Sequence, residues 1–366
     1  YAAAPLKSVG VIAVGRRFVG GSKYDAMCRT FGVDGKPSGA PVLHKYGTND
    51  DYFRDVARLK DGTFVAVGQR YNAGIGDDEG WIARLDSKCA MTNSSGWQQS
   101  KDDQYLQGVV ARSDGGAWAV GAYKNVQFFG PSKYTSWFGV ALWLDPSLKV
   151  VKSVKIGVDD PIKKSKTYMK AVAAWQGWDA LVVGETTYKS AGGTDGAVAL
   201  LASNGTQKYF VQHGTNSNDL YKSVAIDGSY AWLAGYTASD ASNSGWQNWL
   251  TKIRVNDGKI YIIKTFGSKF EDKLHDIAIV GGVRFLVGRT YDGNTAGSAV
   301  AQHFNSLGNI TRTKIMKPST NGSVYEGVTV TDDGRFIAVG SGYDSSNKTQ
   351  NPWITTFGSA LETSCN

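Results

Sequence analysis

Six polar residues occupy one equivalent place in this chain and are all different: Arg54, Gln107, Lys170, Lys222, His275 and Glu326. Each stands two residues before a Val or Ile, as in Arg54-Asp55-Val56 and His275-Asp276-Ile277. A purely structural requirement would repeat one residue type. Cations, an acid, an amide and an imidazole brought into one concavity would instead suit a polar ligand. Polysaccharide cleavage needs a comparable convergence of acid and base. Of the four histidines only His275 falls at this position, so His275, Glu326 and Arg54 are the catalytic candidates if the chain is an enzyme. The chain has no G-x-S-x-G, no H-E-x-x-H and no phosphate-cradling glycine loop.

A second recurring set is aromatic: Phe18, Tyr71, Tyr123, Tyr188, Tyr236, Tyr291 and Tyr343. A tyrosine offers an apolar face and a polar tip, which suits stacking on a sugar ring while hydrogen-bonding its hydroxyls. The same positions would equally serve to cap each sheet and pack against its neighbour. Acids gather as well, most densely at Asp77, Asp78 and Glu79, and at Asp50-Asp51, Asp102-Asp103, Asp159-Asp160, Asp219 and Glu271-Asp272. Oxygen-rich loops can hold calcium. None of these has D-x-D-x-D-G spacing, so they read mainly as solvated turn residues, and no cofactor other than calcium is in view.

What must position these residues is a repeat. VIAVG, FVAVG, AWAVG, ALVVG, AWLAG, RFLVG and FIAVG end at Gly15, Gly68, Gly121, Gly184, Gly235, Gly288 and Gly340, spaced 51 to 63 residues apart. The aromatic set follows these glycines by one to four residues. In the second repeat, Val56 to Leu59 reads as a first strand and Lys60 to Thr63 as a tight turn. Phe64 to Val67 reads as a strand buried on both faces, ended by Gly68. Tyr71 to Gly80 reads as a polar loop, Trp81 to Leu85 as a third strand, and the stretch around Gly96 to Ser100 as a fourth, more polar strand. Four antiparallel strands repeated seven times give an all-β seven-bladed propeller. Its approximate blades are 1–49, 50–102, 103–160, 161–218, 219–271, 272–322 and 323–366, forming a single domain.

Alternation of strand direction puts short turns, such as Asp61-Gly62 and Asp257-Gly258, on one face. The opposite face carries Tyr71–Gly80, Lys124–Ser136, Lys189–Thr194, Thr237–Gln247, Asp292–Gly297 and Tyr343–Pro352, read as long loops. Long varied loops on a rigid frame are where binding sites concentrate.

Composition agrees with many short strands: 45 glycines, 8 prolines and 12% aromatics among 366 residues. No apolar run of membrane-spanning length occurs. Net charge is +8, spread thinly except for Lys163, Lys164, Lys166 and Lys170, and no nucleic-acid motif accompanies it. The first residue is Tyr1 rather than Met, as expected of a processed or trimmed chain. Three cysteines show no metal-ligand spacing. They read either as a Cys28–Cys365 bond tying the two ends of the chain, with Cys89 free, or as three buried thiols.

The run Leu233-Ala234-Gly235-Tyr236-Thr237, a Ser/Asn-rich loop, Trp249 to Ile253, Asn256-Asp257-Gly258 and Thr265-Phe266-Gly267 resembles the β-propeller repeat of secreted and cell-surface bacterial proteins. Those repeats read V-x-G-Y-T-S, loop, A-x-L-D-x-x-G, then Y-x-F-G. The resemblance covers all seven repeats, best in the second, fifth and sixth. It implies an extracytoplasmic scaffold, secreted or at the cell surface, with binding or adhesion roles, and supplies no catalytic motif. The expectation is therefore a binding propeller that recognises a glycan or protein partner through its long-loop face. The alternatives are a polysaccharide lyase or hydrolase with its site at the channel mouth, and a structural module of a surface assembly.

Overall fold

A computed structural model describes residues 1–7, 10–21, 23–46, 49–129, 132–157, 165–190, 192–238, 245–268, 270–291, 293, 297–317, 322–344, 349–358 and 361. The fold is the expected all-β seven-bladed propeller. Sequence neighbours are spatial neighbours in every sheet; six sheets have four strands, and the seventh has three among the described residues. No helix among those residues is long and apolar enough to cross a membrane. The chain falls into two compact units, Val14–Cys28 with Pro41–Leu220, and Tyr1–Ala13 with Arg29–Ala40 and Tyr221–Asn366.

The second sheet shows how sequence becomes structure. Its strands are Tyr52–Arg58, Phe64–Asn72, Asp77–Leu85 and Met91–Trp97. Phe64, Val65, Ala66 and Val67 are all buried, because the apolar run faces a neighbouring sheet on each side. Leu59, Val65, Val67 and Ile82 pack with Leu106, Val109, Ala119 and Val140 of the third sheet. The third sheet packs on the fourth in the same way, through Trp118, Val120 and Ala141 against Val172, Val182 and Ala197. In the other unit, Phe285 and Val287 meet Tyr325, Phe336 and Phe357.

The signature glycine does not end its strand. Phe64–Asn72 runs on through Gly68, and Tyr71↔Asp78 and Asn72↔Asp77 are register partners with Asp77–Leu85. Tyr71–Gly80 is thus a hairpin with a four-residue turn, not a loop. A buried ion pair between Arg70 and Glu79 (2.7 Å), joined by Asn72 Nδ2 donating to Glu79 (2.9 Å), lets polar residues pair there. Lys124–Ser136 is likewise a hairpin, paired out to Phe129↔Ser132. Tyr343–Pro352 pairs out to Asp344↔Thr349. The remaining three long connections lie partly outside the described residues. The fourth strand begins at Met91, earlier than Gly96, because its solvent-facing residues Thr92 to Gly96 carry no apolar pattern.

Among the acids preceding the first strands, Asp51, Asp219 and Asp272 are buried, not solvated, while Asp50, Asp102, Asp103 and Glu271 are half-exposed. Asp51 accepts from Tyr46 N–H (2.8 Å) and Asp219 from Thr215 N–H (2.6 Å), so each closes the connection entering its sheet. Asp159 and Asp160 lie outside the described residues. Cys28 is bonded to Cys89, joining the first sheet to the turn after the third strand of the second. This replaces both the Cys28–Cys365 pairing and the three free thiols; Cys365 lies outside the described residues.

Candidate functional site

The polar ring and the signature glycine are two parts of one device. In five sheets the register between first and second strands slips by one residue. The residue left over is Arg54, Gln107, Lys170, His275 or Glu326. A β-bulge re-aims the side chain it leaves unpaired. It also presses a first-strand carbonyl onto the second strand. A Cβ on Gly68 would lie 1.8 Å from Tyr52 O, and one on Gly121, Gly184, Gly288 or Gly340 would lie 1.9 to 2.0 Å from the carbonyl oxygen of Tyr105, Tyr168, Lys273 or Val324. The glycine is therefore required by the bulge. The residue just before the bulge turns inward: Phe53 stacks on Trp81 (4.6 Å) and Tyr325 on Trp353 (4.5 Å), as Tyr221 at the equivalent sequence position does on Trp249 (4.5 Å).

The bulge residue meets the residue that follows the glycine. Arg54 Nη2 donates to Gln69 Oε1 (2.6 Å) and Lys170 pairs with Glu185 (3.1 Å). Ser341 Oγ donates to Glu326 (3.4 Å). These partners, Gln69, Glu185 and Ser341, were missed in the sequence, although their constant position one residue after the glycine is visible there.

The ring divides between the units. Lys222, His275 and Glu326 belong to one. Burial, with the Lys222 charge adding to it and Glu326 opposing, pushes the His275 imidazole down to about 3. His275 is then neutral at pH 7 and far too weak a base to drive proton abstraction efficiently. Glu326 also receives the Tyr1 amino group. Asp276, beside His275, accepts from Ile277 N–H (2.8 Å), Val328 N–H (2.7 Å) and Ser223 Oγ, which ties three consecutive first strands together.

Arg54, Gln107 and Lys170 belong to the other unit, which carries an aromatic floor. Tyr52, Tyr105 and Tyr168 each precede a bulge residue by two positions and are half-buried. Tyr105 and Tyr168 lie parallel at 6.5 Å, and Trp137 meets both, at 5.6 and 5.5 Å. The Arg54 guanidinium lies 5.7 Å from the Tyr52 and Tyr105 ring centres. Arg16 covers Tyr24 (4.5 Å) and Tyr52 (4.9 Å). Burial, then a hydrogen bond to Asp50 (2.5 Å), pushes the Tyr52 phenol up to about 12. Burial, then the Glu185 charge, does the same for Tyr168, and burial with Tyr168 nearby raises Tyr105. These phenols stay protonated at neutral pH, so they stack and donate hydrogen bonds. The spacing Tyr52, Tyr105, Tyr168 repeats at the blade period and could have exposed this floor in the sequence.

The expected aromatic set is placed differently. Tyr123 packs on Trp97 (6.2 Å) and Phe138 (5.5 Å), Tyr236 on Trp246 (4.9 Å) and Phe18 on Tyr24 (5.5 Å). Tyr71 sits in its hairpin. Tyr188 and Tyr291 lend their carbonyls to Gln212 (2.5 Å) and Ser268 (2.9 Å). Tyr343 pairs with Gln350, and its side chain lies outside the described residues. Lys163 and Lys164 also lie outside them.

Asp77, Asp78 and Glu79 diverge because successive strand residues face opposite ways. Glu79 turns to Arg70, Asp78 accepts from Gln69 Nε2 (2.7 Å), and Asp77 shares a hydrogen bond with Asp103. No three His, Cys, Asp or Glu side chains among the described residues are placed to hold a metal ion. Burial, then that hydrogen bond, pushes Asp77 up to about 6, while Asp103, accepting from it and from Lys124 (3.1 Å), is held down.

No protein-family model matches the chain, and no curated protein matches it by sequence. Solved structures do. An ulvan lyase of a new polysaccharide lyase family, bound to -[GlcA(1-4)Rha3S]-, superposes with a TM-score of 0.57 at 8% identity, covering 98% of this chain and 91% of its own. A streptogramin B lyase gives 0.55 at 11% identity, covering 92% and 89%. An acylaminoacyl peptidase from Pyrococcus horikoshii gives 0.53 at 12% identity and covers 99% of this chain, which spans about half (51%) of the peptidase. At these identities the likeness is one of fold, and the resemblance to propeller repeats is architectural.

Proposed function

We propose that this chain is a carbohydrate-binding propeller whose glycan sits on the floor formed by Tyr52, Tyr105, Trp137 and Tyr168. The observation that carries the reading is the joined set of half-buried rings, Trp137 against both Tyr105 and Tyr168, beside a cation. Half-buried rings and phenols that keep their protons suit sugar C–H faces and hydroxyls. An ulvan lyase of similar fold is bound to the acidic oligosaccharide -[GlcA(1-4)Rha3S]-, which supports a carbohydrate reading. The Cys28–Cys89 bond supports secretion or display at the cell surface, where disulfides persist. Adhesion would follow if the glycan belongs to another cell or matrix.

Titration calorimetry against a glycan panel tests this. Each of Tyr105→Ala and Trp137→Ala should weaken binding about 5- to 10-fold, the scale of one aromatic contact. Absence of binding to any glycan at millimolar concentration would end the proposal.

One observation favours cleavage as a second reading. Asp77, pushed up to about 6, keeps its proton into the mildly acid range beside an ionised Asp103, the environment of a general acid. New reducing ends, or the ultraviolet absorbance of an unsaturated uronate, that disappear in Asp77→Asn would establish it. Product formation unchanged in that variant would dismiss Asp77 as the acid.

A further inference from the structure

The partners that follow the signature glycine differ in charge. Lys170 is neutralised by Glu185 at 3.1 Å. Arg54 in the equivalent place meets neutral Gln69 and makes no ion pair among the described residues, although its side chain is exposed. The nearby acids hydrogen-bond other groups: Asp50 accepts from Tyr52 Oη (2.5 Å) and Tyr24 N–H (2.9 Å), and Asp78, whose charge reaches Arg54 without pairing with it, accepts from Gln69 Nε2 (2.7 Å). A second guanidinium, Arg16, lies on the same Tyr52 ring at 4.9 Å, and the two positive charges repel. Two guanidinia meet one tyrosine, and the Arg54 fork, hydrogen-bonded to an amide, still has donors to offer an anion.

Resting on the glycan reading above, we infer that the bound sugar carries an oxyanion, a uronate carboxylate or a sulfate ester, seated between Arg16 and Arg54 over Tyr52. The planar fork of a guanidinium matches either group, while the tyrosine holds the ring. Gln69 sets this specificity because an amide, unlike a carboxylate, does not compensate the Arg54 charge. An acid there would reproduce the closed Lys170–Glu185 pair.

The test is calorimetric titration of the full chain with polygalacturonate, methyl-esterified pectin, a sulfated galactan, its desulfated form and a neutral glucan, at two salt concentrations. Acidic glycans should bind at least 10-fold more tightly than neutral ones and weaken with salt. Gln69→Glu, Arg54→Gln and Arg16→Gln should each cost acidic glycans about 10-fold, well beyond any loss they cause for the neutral glucan. Loss on esterification identifies the carboxylate, and loss on desulfation identifies the sulfate. Thermal melts identify any variant that fails to fold, and the three substitutions differ enough that one folded variant suffices. Acidic binding untouched by the folded variants overturns the inference. Equal binding of neutral glycans that Tyr105→Ala still weakens overturns it too, while leaving the glycan reading intact. No binding to any glycan overturns both.

Discussion

Replacing Gly68 by alanine should be among the most damaging single-methyl changes in this molecule. The added carbon would lie 1.8 Å from Tyr52 O, 2.8 Å from Tyr52 C and 3.0 Å from Phe53 Cα. All three are backbone atoms on the partner strand, so no side chain can swing away. Relief requires moving the strand by more than 1 Å, which undoes the bulge at Arg54 and disturbs the Phe53–Trp81 stack. Overpacking costs about 1–3 kcal/mol, and loss of strand hydrogen bonds adds about 1 kcal/mol each. The reduced freedom of the unfolded chain returns roughly 0.4–1 kcal/mol. The net expectation is a loss of about 3–4 kcal/mol in urea unfolding. Gly62→Ala is the control. Gly62 has φ +86° and nothing within 4 Å of an added methyl, so only backbone strain of about 1–2 kcal/mol applies. Arg54→Ala, which removes the aimed side chain but keeps the bulge, should cost less than about 1 kcal/mol. If Gly68→Ala is no worse than Gly62→Ala, the link between signature glycine and bulge is wrong.

Three further outcomes are expected. Thiol titration of the denatured, unreduced protein should find one free thiol, and Cys89→Ser should lower stability by about 4 kcal/mol, since the bond spans 61 residues; three free thiols would disprove the bond. Asp276→Asn turns an N–H toward donors at Ile277, Val328 or Ser223 and should cost about 1–3 kcal/mol in the same urea assay, whereas a change below about 0.5 kcal/mol would show that those bonds carry no stability. Asp77, raised to about 6, contributes stability that is complete below its unfolded value of 3.8 and is lost as pH rises through 6. Asp103, held down, contributes in the opposite sense, through stability present above 3.8 and lost as pH falls. Across pH 4 to 6 the wild type should therefore lose about 1 kcal/mol relative to Asp77→Asn after allowance for partial exposure, and parallel pH profiles would contradict the shared proton.

The blade count and the strand frame were readable because VIAVG-type blocks repeat at a near-constant period and apolar runs mark strands buried on both faces. The polar ring was readable as a position, from its fixed offset to Val or Ile. Its cause was not, because a bulge is a register slip between two strands and leaves no residue type of its own. The hairpins at Tyr71–Gly80 and Lys124–Ser136 looked like loops because their strands continue on polar residues, which pair only once partners such as Arg70 and Glu79 meet. Cys28–Cys89 could not be read from spacing, since its partners meet across two sheets at a separation unrelated to the repeat. The floor was hidden because the more regular tyrosines follow the glycine, whereas Tyr52, Tyr105 and Tyr168 stand before the bulge and join into one surface only across neighbouring blades.

The most direct measurement is a hydrogen-exchange footprint of the full chain with and without the tightest-binding glycan of the panel. Binding at the proposed floor should slow exchange around Asp50–Arg54, Asp103–Gln107, Trp137 and Ser165–Lys170, and leave the outer strands Ile260–Phe266 and Ile310–Met316 unchanged. Protection confined to those outer strands, or to the short turns at Asp61-Gly62 and Asp257-Gly258, would contradict the assignment of the site.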